Sequence, residues 1–369
     1  MTTPSVSTHA LPLTARESLA EQMPILLPML VDAAAEVRAR GWQEHDTLPQ
    51  PGLVDIDAAQ LFLSAYGHAL LARGYDAAHV DADANLLGTY LWSFLNFELH
   101  HRKLFWVDES LAWMLAETRL DIEGRELRLP FPSFAIAFTD RDTLEVAEAC
   151  LRRDDACYLR GATLKILTVH VTRVTQPDDD RSTGIELAFF FDDGSGRDWP
   201  YIIGRSLLVQ ADARLDEILA SHFPDVDPSA LSDIFQSDEL RRLVHLVINA
   251  ILFTTSCQEP WRVLKSPVAQ AAQKATGWGK GKKARLVKLR HERSAEEVFH
   301  LPGKIPIAQV RALREARRGE GQMFARFMVR GHWRRANASW EDQRVRWIEP
   351  YWKGPDMATV VEREYVLKK

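Results

Sequence analysis

The chain has 369 residues and a mass of 41.9 kDa, which is larger than one typical domain and predicts two or three domains. Its 46% hydrophobic and 26% charged residues are typical of a soluble globular protein and exclude the disordered, collagen-like and membrane-spanning classes. Cys150, Cys157 and Cys257 cannot all pair with one another and form no Cys-x-x-Cys motif, so we expect a protein of the reducing cytoplasm. The absence of a signal-peptide pattern near Met1 agrees with that location.

Charge is distributed very unevenly along the chain. Residues 261–369 hold 25 Lys and Arg against 11 Asp and Glu, a net charge of +14, whereas residues 1–260 hold 21 against 40, a net charge of −19. The net charge of −5 for the whole protein conceals this difference. Such asymmetry is typical of a basic part that binds a polyanion, although two oppositely charged parts also attract each other within one molecule.

The acidic part begins with helical patterns. Apolar residues recur at helical spacing through 19–37 and 53–73, which predicts two antiparallel helices joined at the turn Pro49–Gly52. A third helix is predicted over residues 82–117. The first part of the protein is therefore expected to be helical.

Aromatic residues cluster within the third predicted helix. Tyr90, Phe94 and Phe97 share one face of that helix, whereas Trp106 points elsewhere. A helix that is aromatic on more than one side is either buried on several sides or lines a groove for a partner. These four residues are thus candidates either for the core or for binding a peptide segment.

Strand patterns begin near residue 131 and alternate with shorter helical ones. The predicted strands cover residues 134–138, 164–174, 184–191 and 199–209. The last two strands flank the turn-rich segment Asp192–Arg197 and predict a β-hairpin. Helices are predicted over residues 143–152, 213–220 and 238–254.

A flexible basic linker is predicted from Ser266 to Lys283. It ends in Gly-Trp-Gly-Lys-Gly-Lys-Lys, which lacks the glycine spacing and the Ser or Thr of a phosphate-binding loop. Lys280, Lys282 and Lys283 are therefore predicted to neutralise RNA phosphates rather than to bind a nucleotide for hydrolysis. The alternative is a solvated linker without a ligand.

The C-terminal part is predicted to form a small basic module with a helix over 307–318 and strands over 324–333 and 345–352. Arginines alternate with aromatic residues along these strands, which can pair with phosphates and stack on bases. RNA is the expected polyanion because its unpaired bases can reach aromatic rings. The alternative places the tryptophans in the core, with the arginines extended to solvent. The candidate RNA-binding residues of the module are Arg326, Arg330, Trp333, Arg346, Tyr351 and Trp352.

The same module contains the residue types that a metal-independent ribonuclease needs. His332 or Glu349 is a candidate base for the 2′-hydroxyl proton, and Arg334, Arg335 and Lys353 are candidate stabilisers of the charge on the phosphorane. The alternative is that Glu349 forms a structural ion pair with a neighbouring arginine. The sequence leaves the question of enzyme activity open.

Other catalytic and metal-binding patterns are absent from the sequence. It has no His-Glu-x-x-His, Gly-x-Ser-x-Gly or dinucleotide-binding glycine motif. His100 and His101 are adjacent and point apart on a helix, and Asp178–Asp180 follows a proline in a loop pattern. We therefore expect no metal and no cofactor.

The patterns together predict an α+β fold, in which a helical and mixed α/β acidic N-terminal region precedes a small basic α+β C-terminal module. The predicted divisions are a helical region at 1–125, a mixed α/β region packed with it at 126–260, a basic flexible linker at 261–285 and an RNA-contacting module at 286–369. The mixed region is the candidate peptide-recognition domain.

Two segments of the module resemble a known family. Gly331-His-Trp-Arg-Arg335 and Arg346-Trp-Ile-Glu-Pro-Tyr-Trp-Lys-Gly354 are similar to segments of proteins carried on phages, plasmids and other mobile elements, whose best-known member is the type V-A anti-CRISPR inhibitor that blocks biogenesis of the effector nuclease. Elsewhere the resemblance extends only to the order of the parts. The connector that carries Gly and Pro in such proteins is here Ala336–Gln343.

The resemblance implies a regulatory protein that recognises the N-terminal segment of a nascent polypeptide and causes loss of the messenger RNA being translated. The partners it implies are a nascent polypeptide, single-stranded or messenger RNA and the ribosome, with no membrane. It does not imply which polypeptide is the target. The competing hypothesis is a non-catalytic protein-interaction inhibitor whose basic module docks onto an acidic partner.

Overall fold

The computed structural model describes thirteen parts of the chain. They are residues 26–39, 41–42, 47, 92–138, 165–174, 182–192, 201–223, 238–256, 262–264, 281, 297–301, 327–329 and 331–353.

The body of the protein is built on one mixed sheet of seven strands in the order β5-β4-β3-β2-β1-β7-β6. Strands β2, β1 and β7 run parallel to one another, and all other neighbours are antiparallel. The strands are β1 (Lys103–Val107), β2 (Ser133–Phe138), β3 (Lys165–Val174), β4 (Ser182–Asp192), β5 (Tyr201–Gln210), β6 (Arg262–Leu264) and β7 (Glu297–Leu301).

Helices and four short strands complete the described structure. The helices are α1 (Leu26–Ala39), α2 (residues 92–99), α3 (Glu109–Ala116), α4 (Leu215–His222) and α5 (Asp238–Thr255), with a 3-10 turn at Gly124–Glu126. The short strands form two antiparallel ladders, β9 with β10 and β8 with β11. They are β8 (Phe327–Val329), β9 (His332–Arg334), β10 (Arg346–Ile348) and β11 (Tyr351–Lys353).

The predicted α+β class is confirmed, and so is the hairpin formed by β4 and β5. Strands β6 and β7 lie beyond residue 260, and β1 lies before residue 125, yet all three belong to the same sheet. The predicted divisions at 125 and 260 therefore fall within one continuous sheet. The predicted strand 324–333 is interrupted at Gly331, and the predicted strand 345–352 is interrupted at Glu349–Pro350. Pro350 has no N–H group to donate to a ladder.

The prediction of one continuous helix over 82–117 is wrong, because β1 separates α2 from α3. The chain is helical over 92–99, then turns at His101 and Arg102, whose φ angles are 63° and 51°, and continues as β1. The side chain of Arg38 donates hydrogen bonds to the carbonyl oxygens of Glu98 (2.6 Å) and Leu99 (3.1 Å), which satisfies carbonyls at the end of the helix. Left-handed backbone at two consecutive residues ends the helix although the apolar spacing continues through it.

One face of the sheet carries the main core. Alternate residues of β4, from Ile185 to Phe191, point to this face and are fully buried. Helices α3 and α5 cover it, and α5 contributes a broad apolar surface that includes Leu243, Val247 and Ile251. Burial of this apolar surface is the main stabilising term for the body of the protein.

Helix α2 covers part of the opposite face. Phe94 and Phe97 of this helix are 1% and 2% exposed, and their ring centroids lie 4.9 Å and 4.6 Å from that of His170 on β3. The prediction that these two residues line a peptide groove is therefore wrong, because their rings are enclosed between helix and sheet. Tyr90 lies outside the described residues, and Trp106 is partly buried at the edge of this face.

The C-terminal hairpin of β9 and β10 docks on the main core through two tryptophans. Trp333 and Trp347 lie opposite each other in the ladder and are 4% and 2% exposed. The Nε1–H of Trp333 donates to Oδ1 of Asn249 on α5 at 2.7 Å, and that of Trp347 donates to Oγ1 of Thr118 at 3.0 Å. The prediction that Trp333 stacks on a base is wrong, because no face of its ring is open.

Gly331 allows the hairpin to approach this closely. Its carbonyl accepts a hydrogen bond from the backbone N–H of Arg119 at 2.9 Å. A Cβ atom at this position would lie 2.5 Å from Oγ1 of Thr118 and 3.0 Å from Cδ of Pro350. The close approach therefore requires glycine.

We expect Trp347→Phe to lower the free energy of unfolding by about 1 to 3 kcal/mol, because it deletes the buried donor to Thr118. Trp347→Ala should cost about 3 to 5 kcal/mol because it also leaves a cavity. Urea unfolding at constant pH measures both values. Trp340→Ala, outside this core, is the control and should change stability by less than about 1 kcal/mol. Equal stability of Trp347→Phe and the wild type would contradict the role of this hydrogen bond.

His170 is the buried titratable group of the opposite face. Burial lowers the pKa of this imidazole to about 3, although a hydrogen bond with the backbone of Ser93 opposes the shift. Its Nδ1 atom has no hydrogen-bond partner among the residues that the structure describes. The folded protein therefore holds His170 neutral.

We expect His170 to make the protein less stable in acid. Between about pH 6.5 and pH 3, His170 is protonated in the unfolded chain but stays neutral in the folded protein. The free energy of unfolding therefore falls as the pH falls. From pH 7.5 to pH 4.5 this residue alone should remove about 2 to 3 kcal/mol. His170→Phe should flatten the pH dependence of urea unfolding by that amount. An unchanged slope in this variant would show that His170 is protonated in the folded state.

Candidate functional site

The outward face of the docked hairpin presents two arginines. Arg334 and Arg346 face each other across the β9–β10 ladder, and both are exposed. They point away from the core because each is next in sequence to a buried tryptophan, and successive side chains of a strand point to opposite sides. The inward tryptophans thus determine where the arginines point.

An aromatic ring from the connector holds both guanidinium groups. The Cζ atoms of Arg334 and Arg346 lie 5.2 Å and 4.2 Å from the ring centroid of Trp340, within the range of a cation–π interaction. A turn places this ring, because the N–H of Trp340 donates to the carbonyl oxygen of Asn337 at 2.8 Å. We call Arg334, Trp340 and Arg346 the arginine–tryptophan cluster.

The neighbouring arginines are neutralised within the protein. Nη2 of Arg335 lies 2.6 Å from Oε1 of Glu123, and Nη2 of Arg344 lies 2.8 Å from Oδ2 of Asp342. The hydrogen bond from Arg335 lowers the pKa of Glu123, and that from Arg344 lowers the pKa of Asp342 to about 2. Both carboxylates are therefore ionised at neutral pH.

Arg334 and Arg346 form no direct ion pair with any residue that the structure describes, although the charge of Arg346 adds to the larger effect of Arg344 in lowering the pKa of Asp342. Two like charges held against one ring repel each other, and an anion placed between them relieves that repulsion. Guanidinium groups bind phosphate oxygens with paired N–H donors. The arginine–tryptophan cluster is therefore a candidate site for a phosphate chain.

The other candidate residues of the module differ in their exposure and in whether the structure describes them. His332 and Glu349 are half-buried. His332 pairs with Ile348 in the ladder, whereas Glu349 follows the end of β10, where strand alternation directs its side chain to the other side. Tyr351 is 47% exposed and begins β11. Their catalytic and RNA-binding roles stay predictions. Trp352 and Lys353 belong to β11, whereas Lys280, Lys282, Lys283, Arg326 and Arg330 lie outside the described residues.

A second polar group of residues lies at the carboxyl ends of the parallel strands β1 and β7. Nε2 of His300 lies 2.8 Å from Oδ1 of Asp108. The ring of Trp106 lies beside His300, with 4.9 Å between centroids, and the two residues are paired in the β1–β7 ladder. We call Trp106, Asp108 and His300 the strand-end cluster.

Sequence reasoning did not find Trp340, Asp108 or His300. Trp340 lies in the connector where the resemblance to the anti-CRISPR family departs, and its spacing to Arg334 and Arg346 gives no periodic signal. Asp108 and His300 are 192 positions apart, so only the pairing of β1 with β7 brings them together. An aspartate directly after a buried strand was the one available signal.

Within the described ranges, no three His, Cys, Asp or Glu side chains are grouped so that they could hold a metal ion. A search of those same ranges found no helix with the length and hydropathy needed to cross a membrane.

Comparison with known proteins agrees with the resemblance seen in the sequence. The model of the AcrVA2-like family, described as the anti-CRISPR type V subtype A2 family, matches residues 105–354. A crystal structure of AcrVA2 is similar over 94% of this chain and 97% of that chain, with 13% sequence identity and a TM-score of 0.44. No curated protein matches the chain. Since the family match covers well over half of the sequence, the chain belongs to the AcrVA2-like family of type V anti-CRISPR proteins.

Proposed function

We propose that this anti-CRISPR protein acts in the cytoplasm, recognises the N-terminal segment of a nascent target polypeptide and lowers the messenger RNA that is being translated. In this proposal the C-terminal hairpin contacts the RNA. The observation that carries the RNA contact is the arginine–tryptophan cluster, in which Arg334 and Arg346 are exposed and stacked on Trp340 without an ion pair among the described residues.

The geometry of the cluster favours a polyanion over a single acidic side chain. The two arginines are directly opposite each other on adjacent antiparallel strands, where Cα atoms are about 5 Å apart. Successive phosphates of an RNA strand can each take one guanidinium group at such a spacing, while Tyr351, 47% exposed, offers a ring to a base. The net charge of +14 over residues 261–369 attracts the same ligand.

Loss of messenger RNA by direct cleavage is the second form of this proposal. His332 or Glu349 would take the 2′-hydroxyl proton, and Arg334, Arg335 or Lys353 would stabilise the phosphorane. The alternation of β9, which places His332 and Arg334 on the same side of the strand, supports this form. Of the three candidate stabilisers, Arg335 is the least available to a phosphorane, because Glu123 and Glu126 already contact its guanidinium group.

We expect the full-length protein to bind single-stranded RNA with an affinity that falls as salt is added. Arg334→Ala combined with Arg346→Ala should weaken binding and lower the slope of log K against log salt by about 1.4, since each phosphate contact on a single strand contributes about 0.7. Fluorescence anisotropy with labelled RNA at several salt concentrations measures this slope. Arg344→Ala is the matched control, because that arginine is paired with Asp342, and it should leave the slope nearly unchanged.

Absence of RNA binding by the wild type at low salt would contradict the RNA contact. It would favour the non-catalytic inhibitor whose basic residues dock onto an acidic protein. Equal slopes for the wild type and the double variant would show that RNA binds elsewhere on the protein.

We expect Glu123→Gln to strengthen RNA binding, in contrast to the double arginine variant. Glu123 lies 2.6 Å from both Arg335 and Arg125, so its neutralisation removes one negative charge next to Arg335, which then keeps only its longer contact with Glu126; Arg125 stays paired with Asp212. The variant should bind RNA more tightly, and the salt slope should rise by about 0.7 for each arginine that gains a phosphate. The same anisotropy titration measures it, with Asp342→Asn as a second variant that releases Arg344. Weaker binding by both variants would contradict a phosphate site on this face.

A further inference from the structure

An arginine from the acidic part of the chain lies directly beside the basic hairpin. Arg119 belongs to the segment that follows α3, and it forms an isolated parallel β-bridge with His332 of β9. The backbone N–H of Arg119 donates to the carbonyl oxygen of Gly331 at 2.9 Å. Because His332 pairs with Ile348 on its other side, the segment that carries Arg119 borders β9 on the side away from β10.

This register places the side chain of Arg119 on the same face as the arginine–tryptophan cluster. Paired residues of neighbouring strands point to one side of a sheet, so Arg119 and His332 share a face. Arg334 lies two residues beyond His332 on β9 and shares that face as well. The buried residues alternate in agreement, because Trp333 and Thr118 both point to the core.

The outward face therefore has two rows of side chains. One row is Arg334 with Arg346, and the other is Arg119 with His332 and Ile348. The rows are about 6.6 Å apart, since they are separated by two residues along β9. One nucleotide of an extended single strand can span that distance. A strand bound at the first row can thus reach the second.

Arg119 is exposed, and it forms no ion pair with any residue that the structure describes. Other exposed arginines of the acidic part are paired, Arg125 with Glu123 at 2.6 Å and Arg214 with Asp216 at 2.8 Å. Residues 1–260 hold 40 Asp and Glu against 21 Lys and Arg, a surplus that favours pairing of a surface arginine. The outward guanidinium group of Arg119 is therefore available to an anion from outside the protein.

We propose that RNA bound at the arginine–tryptophan cluster continues across β9 to Arg119, which holds a further phosphate. The ring of His332 lies next to Arg119 across the bridge and next to Arg334 along the strand, so it contacts the nucleotide that joins the two phosphates. This inference rests on the proposed RNA contact. It adds a residue from outside the C-terminal module and gives the path of the RNA over the surface.

The test uses the full-length protein and fluorescence anisotropy with a labelled single-stranded oligouridine at several salt concentrations. Arg119→Ala should lower the slope of log K against log salt by about 0.7, the contribution of one phosphate on a single strand. Combined with Arg334→Ala and Arg346→Ala, the decrease should reach about 2.1. Arg119→Lys keeps the charge and should keep the slope.

Arg214→Ala is the matched control. The side chain of Arg214 is 45% exposed and already paired with Asp216, so its loss should leave the slope nearly unchanged. The backbone hydrogen bond from Arg119 to Gly331 does not depend on the side chain, and melting temperatures check that Arg119→Ala is folded. If it is not, Arg119→Gln, which removes the charge and keeps most of the side chain, gives the same measurement.

The contact of His332 with the RNA is tested separately at about pH 8, where an ordinary imidazole is uncharged. His332→Ala should weaken RNA binding about fivefold with no change in the salt slope, because a ring contact and not a charge is lost. His332→Phe should recover most of the affinity. A lower slope in His332→Ala, or no recovery in His332→Phe, would overturn the ring contact.

The outcomes separate this inference from the proposed function. An unchanged slope in Arg119→Ala, together with the expected decrease in the double arginine variant, would overturn the path across β9 and leave the RNA contact at the cluster intact. A polyglutamate peptide is titrated in parallel, and binding as tight as that of RNA of equal charge would overturn the path in favour of an acidic protein partner. Absence of RNA binding by the wild type at low salt would count against the proposed RNA contact itself.

Discussion

Two buried indole N–H groups hold the C-terminal hairpin on the body of the protein. Trp333 donates to Asn249 and Trp347 donates to Thr118, and these acceptors come from α5 and from the segment after α3. A buried donor without an acceptor is costly, so each bond fixes the orientation of its ring as well as adding to stability. Because the rings are paired across the ladder, the position of the whole hairpin follows from these contacts.

The candidate RNA contact depends on that docking. Since strand residues alternate, burial of Trp333 and Trp347 directs Arg334 and Arg346 to solvent. Trp340 then holds both guanidinium groups in place, while Glu123 and Asp342 neutralise Arg335 and Arg344. All four of these arginines are exposed, but Arg335 and Arg344 are paired with carboxylates of the protein, whereas Arg334 and Arg346 form no direct ion pair with a described residue. The tryptophans of the motif stabilise the fold, and the arginines next to them are the groups available to a ligand.

The two clusters are carried by different parts of one sheet-based body. The strand-end cluster is formed by β1 and β7, and the arginine–tryptophan cluster lies on the hairpin that packs on the helical face.

The sequence alone determined the α+β class, the β4–β5 hairpin, helix α5 and the uneven charge, because each depends on local periodicity or composition. It also named Arg334 and Arg346 as candidate residues, and their roles stay predictions. Only the tertiary structure decided that Phe94, Phe97 and Trp333 are buried, since an aromatic stripe looks the same whether a helix, a sheet or a ligand covers it. Likewise Asp108 meets His300 only because β1 pairs with β7 across 192 positions, and no local pattern encodes which distant strands become neighbours.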